Sequence, residues 1–188
     1  MTINWTELNA AIQACTACLL HQGITHKVPG QGNPEARLML IGEGPGYQED
    51  RQGLAFVGPA GELLTSMLAA IDLKREDVFI ANVVKCRPPG NRAPSPEEAA
   101  SCLPFLRAQF LLVRPQVILL LGATALKSLI SQDMGITRSR GQWIERKGIW
   151  FMPSYHPAAL LRDAAKKRES WQDLQLVRDK LRALEGER

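Results

Sequence analysis

Four cysteines, Cys15, Cys18, Cys86 and Cys102, are the residues whose type and spacing point most directly to chemistry. Cys15 and Cys18 form a Cys-x-x-Cys pair, and fifteen residues separate Cys86 from Cys102. A close thiol pair offers two neighbouring ligands to one metal, and four thiolates satisfy either zinc or an iron–sulfur cluster. Spacing does not choose between the two. Four separate buried thiols are the plainer alternative, because free cysteine packs as a small apolar side chain. Structural disulfides are not expected in a reducing compartment, so the count of four favours one metal site. If all four bind, the metal ties the N-terminal helix to a loop far along the chain, much as a long-range crosslink would.

A second group of candidates is Glu43, Glu49, Asp50, Phe56, Asn82 and His156. Glu43 lies in Gly42-Glu-Gly-Pro-Gly46, which superficially matches a dinucleotide-binding turn. Pro45 deletes a backbone N–H that a phosphate cradle would use, and no phosphate-loop lysine follows. The stretch from Tyr47 to Pro59 is polar and is expected to be irregular rather than helical. A tight turn that brings backbone donors to a flat ligand, with Glu43 beside them, is the better physical reading. Phe56 sits in a glycine-rich loop, where an aromatic ring commonly anchors the backbone. Asn82 interrupts an apolar run; an amide there must find hydrogen bonds, and it can read a nucleobase edge with one donor and one acceptor. His156 stands in Ser154-Tyr-His-Pro157, at the end of a predicted strand.

The elements that must position these residues follow from the apolar pattern. Four nearly continuous apolar runs, 37–42, 77–84, 116–122 and 148–153, read as strands buried on both faces. Helical patterns lie between them: 60–71, a segment opened by Ser95-Pro-Glu-Glu, 122–130, and a tail from about 169 to 184. A further helix runs from about Asn4 to Cys15. The alternation predicts an α/β chain, a three-layer α/β/α sandwich with a four-stranded parallel sheet, in one domain spanning 1–188. Ligands of such sheets bind at the carboxyl ends of the strands. Those ends are Gly42–Gly46, Asn82–Arg92, Gly122–Thr124 and Ser154–Pro157.

With 45% apolar residues, 15 Gly and 12 Pro, the chain is neither disordered nor collagen-like. No stretch approaches the roughly 18 apolar residues of a membrane span. The first residues carry neither a basic leader nor a long apolar run, which predicts a cytoplasmic protein with no membrane partner, and a monomer is expected. The net charge of +4 is compatible with a nucleic-acid partner. Its excess concentrates at 85–92 and 137–147, in segments read as loops.

In their order along the chain these segments resemble the family 4 uracil-DNA glycosylases, the iron–sulfur branch of the uracil-DNA glycosylase superfamily. The resemblance rests on Cys15-x-x-Cys18, Gly42-Glu-Gly-Pro-Gly46, Glu49-Asp50-Arg51 with Gly53-x-x-Phe-Val-Gly58, Asn82-Val-Val-Lys-Cys86-Arg-Pro-Pro, Asn91-Arg-x-Pro94, Cys102 and His156-Pro-Ala-Ala-Leu-Leu-Arg162. It implies a structural [4Fe–4S] cluster on the four cysteines, in preference to zinc, and hydrolysis of the bond joining uracil to DNA. It also implies that Gly42, Glu43 and Gly44 line the base pocket, Phe56 stacks on the base, Asn82 reads its polar edge and His156 contacts O2. Glu43 becomes a candidate wall against the thymine methyl group. Glu43 and Glu49, with Asp50 third, are the carboxylates expected to assist water, since Gly44 replaces the Asp of other branches. Leu160 is expected either to wedge into the duplex or to pack the start of its helix, and Arg87, Arg92, Arg138, Arg140 and Arg162 to bind phosphates. A non-catalytic iron–sulfur module that binds nucleic acid or senses redox state is the competing reading of the same fold.

Overall fold

The computed structural model describes residues 4–186, so the extreme ends of the expected 1–188 domain lie outside the described residues. Its centre is a six-stranded sheet built from β1 (Gln31–Gly32), β2 (Leu38–Gly42), β3 (Phe79–Asn82), β4 (Val117–Leu121), β5 (Ile144–Arg146) and β6 (Ile149–Ser154). The spatial order is β1-β3-β2-β4-β6-β5. The four inner strands are parallel, as their apolar runs predict. The two outer strands pair antiparallel and were not foreseen. With only two and three residues, and largely polar ones, they carry no alternation to read, and short polar strands are a common way to close a sheet edge.

Side-chain alternation divides the core in two. Leu38 and Leu40 of β2, with Val117, Leu119 and Leu121 of β4, face one apolar layer. Met39 and Ile41, with Ile118 and Leu120, face the other. Residues of α3 (Pro59–Ala69), α7 (Pro157–Arg162) and α8 (Lys167–Ala183) complete the first layer. The second is completed by α4 (Pro96–Val113) and α5 (Ala123–Leu129), with Trp5 of α1 (Trp5–Ala14) packed against it. Ser95 caps α4 as its sequence predicts: its hydroxyl accepts from the Glu98 N–H, and the Glu98 carboxylate accepts from the Ser95 N–H at 2.7 Å.

The parallel register sets the site. Gly42 stands opposite Asn82 and Leu121 opposite Ser154, so four strands end at one level. The segment after Gly46 departs from expectation. It forms a short helix at once, α2 (Tyr47–Gln52), which Gly53 ends in a left-handed conformation with φ of +71°. Its residues are polar on all sides and gave no periodicity; the capping by Glu49 described below holds it. One more helical turn, α6 (Ile136–Ser139), precedes the outer hairpin.

Candidate active site

The carboxyl ends of the strands open into a cavity of about 660 Å³, lined among others by Glu43, Gly44, Phe56, Asn82, Gly122 and His156. Asn82, the last residue of β3, is 2% exposed, and its Oδ1 has no hydrogen-bond partner in the protein. Buried polar atoms are paired in the great majority of cases, and an orphan beside a cavity marks a place for a ligand donor. Gly42 is the neighbour that makes room: a Cβ there would stand 2.5 Å from both Asn82 Oδ1 and Phe56 Cζ. Phe56 adopts a left-handed conformation, φ +53°, and its ring stacks against His156 with centroids 5.5 Å apart. Asn82, Phe56, Gly42 and His156 therefore share one wall.

His156 caps the N-terminus of α7, and its Nδ1 accepts from the Ala158 N–H at 3.1 Å. That bond leaves the ring proton on Nε2, a fixed donor. Burial, followed by the positive charge of Arg162, lowers the imidazole to about 4, against a smaller raising effect of Glu49. His156 is neutral at pH 7.

The carboxylates separate by their partners. Glu43 accepts a hydrogen bond from the Thr124 hydroxyl on Oε2, which orients it at the cavity. Glu49, a candidate for water activation, is instead spent on the backbone. Its Oε1 accepts from the Val57 and Gly58 N–H groups, both at 2.9 Å, and its Oε2 from Gly46 at 3.1 Å. It clamps the turn after β2 to the Phe56 loop. Asp50 is 4% exposed and accepts from the Thr25 and His26 N–H groups, so it anchors the N-terminal segment and stands outside the cavity.

Cys15 and Cys18 follow α1, Cys86 follows β3 and Cys102 lies on α4; all four line one small cavity, and none is in a disulfide. Among the described residues no three His, Cys, Asp or Glu side chains gather tightly enough to hold a single metal ion. Backbone N–H groups point at two of the sulfurs, Ala17 to Cys15 at 3.5 Å and Lys85 to Cys102 at 3.3 Å. Burial, reinforced by Cys102 and Cys18, pushes the Cys86 thiol up to about 12, and burial raises Cys102 as well. A metal group must therefore displace protons from these sulfurs on binding. The four thiols, two from the segment after α1, one after β3 and one on α4, share this space and are the candidate ligands of a metal group.

The uracil-DNA glycosylase superfamily model matches residues 29–175. The chain belongs to this superfamily. It is 47% identical over 160 residues to the type-4 uracil-DNA glycosylase of Thermotoga maritima, covering 83% of this chain and 82% of that one. The type-4 enzyme of Sulfurisphaera tokodaii is 40% identical over 183 residues, 92% of this chain and 83% of that one. A type-5 uracil-DNA glycosylase of Pyrobaculum aerophilum is 31% identical over 151 residues, 71% and 66% of the two chains.

The residues expected to face DNA are placed differently from one another. Leu160 is 1% exposed and belongs to the core, so it cannot wedge into a duplex; on the same helix Leu161 is 50% exposed. Arg140 is also internal. Its guanidinium grips both carboxylate oxygens of Asp173 and the Glu169 carbonyl, and its side chain is 15% exposed. Asp173 in turn accepts from Ser154, two residues before His156, so this network braces the end of β6. Arg87 stacks over Tyr47 and bonds Asn91, while Arg92 makes a bidentate pair with Glu98. Arg92 and Arg162 line the cavity, and Arg138 is exposed. Thr124 was missed as a residue, although its segment was marked by its place after a strand. The position of Leu161 was invisible because two adjacent leucines differ only in helical phase.

Proposed function

We propose that this chain is a monofunctional uracil-DNA glycosylase, which cuts the N-glycosidic bond of flipped-out uracil and leaves an abasic site. The unpaired, buried Oδ1 of Asn82 carries the reading. Uracil offers an N3–H donor to that oxygen and an O4 acceptor to the Asn82 amide. Cytosine presents the opposite polarity and leaves both groups unpaired, a mismatch that discriminates by orders of magnitude. Extrusion of the base costs a few kcal/mol, offset by contact with Phe56 and by these bonds.

The departing uracil takes up negative charge. A donor already aimed at O2 lowers that barrier, and His156 Nε2–H supplies one without needing to be charged. The ring cannot donate from Nδ1, and with its pKa lowered to about 4 it carries no additional proton to give near neutral pH. It acts by electrostatic stabilisation and not as a general acid. Glu43, oriented by Thr124, holds the water that attacks the sugar. Arg87, Arg92, Arg138 and Arg162 bind phosphates, and Leu161 fills the gap left by the base. Cys15, Cys18, Cys86 and Cys102 would hold a [4Fe–4S] cluster, which supplies a crosslink between α1, α4 and the end of β3.

The test uses a labelled oligonucleotide with one uracil, treated with iron-loaded protein and then with alkali. Cleavage of the uracil strand, with thymine and cytosine strands intact, is the expected result. Tight DNA binding with no abasic product would replace this reading with the non-catalytic module.

A further inference from the structure

Lys85 is 1% exposed and lies between Asn82 and Cys86. Its side chain does not reach solvent. The ammonium folds back to donate to the Asn82 carbonyl at 2.9 Å and to Gln109 Oε1 at 2.8 Å. Its own N–H donates to Cys102 Sγ, and its carbonyl accepts from the Val28 N–H at 2.8 Å. Gln109, wholly buried on α4, donates onward to the Pro29 carbonyl at 2.7 Å. One residue thus joins a cysteine ligand candidate, the base-reading strand end and the helix that carries Cys102.

A buried ammonium is expensive to desolvate, and its two partners here are neutral carbonyl-type oxygens. An apolar side chain of similar length would fill the same space without that cost. The groups nearby that become anionic are the cysteine sulfurs, once they ligate. We infer that Lys85 is a positioning residue that couples the cysteine centre to base reading. Its positive charge would offset that of Cys102 once this sulfur ligates, and its ammonium holds the Asn82 carbonyl, so that the Asn82 amide meets the base in register. This inference rests on the glycosylase reading for its kinetic half only.

Three variants test it in the iron-loaded protein: Lys85→Met, Lys85→Arg and Gln109→Met. Lys85→Met keeps the stem and removes the donor. It is expected to lose iron to a chelator at least fivefold faster than wild type, followed by cluster absorbance. Its single-turnover excision rate per iron-loaded molecule is expected to fall tenfold or more, with DNA affinity within twofold. Lys85→Arg restores most of both properties. Gln109→Met, which leaves Lys85 in place with one partner, moves both in the same direction by a smaller factor and carries the test if Lys85→Met does not fold. A purely structural lysine would reduce the yield of loaded protein but not the rate per loaded molecule. Wild-type chelator resistance and wild-type excision rate in Lys85→Met, or in Gln109→Met should it stand alone, would overturn the inference. If wild-type protein excises nothing, the glycosylase reading fails, and the chelator comparison still decides the link between Lys85 and the cysteine centre.

Discussion

Replacing Asn82 with leucine separates function from stability in opposite directions. Leucine copies the branched shape of asparagine and removes both polar atoms. In the free protein Asn82 Oδ1 is buried without a partner, and an unmade buried hydrogen bond costs about 1–3 kcal/mol. Asn82→Leu therefore relieves strain of that order and adds apolar contact beside Gly42 and Phe56. A gain of about 1 kcal/mol corresponds to roughly 2–4 °C in Tm for a domain of this size. Excision moves the other way. Two hydrogen bonds to the base are lost, each about 1–3 kcal/mol and stronger as the base becomes anionic. The single-turnover rate on uracil should drop by about 10²- to 10⁴-fold. Calorimetry and rapid-quench excision on one preparation measure both. A lower Tm, or a rate within tenfold of wild type, would refute the idea that the orphaned oxygen waits for the base.

His156→Ala removes the donor to O2 and should slow excision by about 10²–10³ while DNA binding is retained, checked by gel shift beside the rate. The wild-type rate should show no loss attributable to His156 from pH 8 down to about 5, because the imidazole titrates near 4. Stability follows the same group. An unfolded histidine titrates near 6.5, so between about 6.5 and 4 the unfolded chain binds the extra proton and stability falls as pH falls. His156→Gln should lose that component, roughly 3 kcal/mol in size, in acid-unfolding titrations. Arg140→Ala should leave the salt dependence of DNA binding unchanged and destabilise the fold by about 3–5 kcal/mol by stranding Asp173, whereas Arg162→Ala should reduce the salt slope by about one. Cys86→Ala should lose iron, measured by metal analysis, together with much of the soluble yield.

The parallel core of the fold was legible because strands buried on both faces write continuous apolar runs, and the site was legible because ligands gather where such strands end. Asn82 and His156 declared themselves as polar residues at the ends of apolar runs. Roles that depend on how a side chain is spent were not legible. Glu49 reads as an acid free for chemistry, yet three backbone N–H groups occupy it. Arg140 reads as a loop cation, yet its partner Asp173 lies 33 residues away on another helix. Leu160 and Leu161 are the same residue type one position apart, and only the start of α7 decides which is buried. The helix α2 lacks an apolar face, so capping alone specifies it.

Uracil held in the cavity between the Asn82 amide and a neutral His156 would perturb both groups. An NMR titration of ¹⁵N-labelled, iron-loaded protein with uracil, in the presence of abasic-site DNA, observes both groups. Shifts are expected at the Asn82 side-chain amide and at a His156 ring protonated on Nε2 alone, with cytosine producing neither. Unmoved Asn82 and His156 signals at saturating uracil, or an imidazolium at His156, would contradict it.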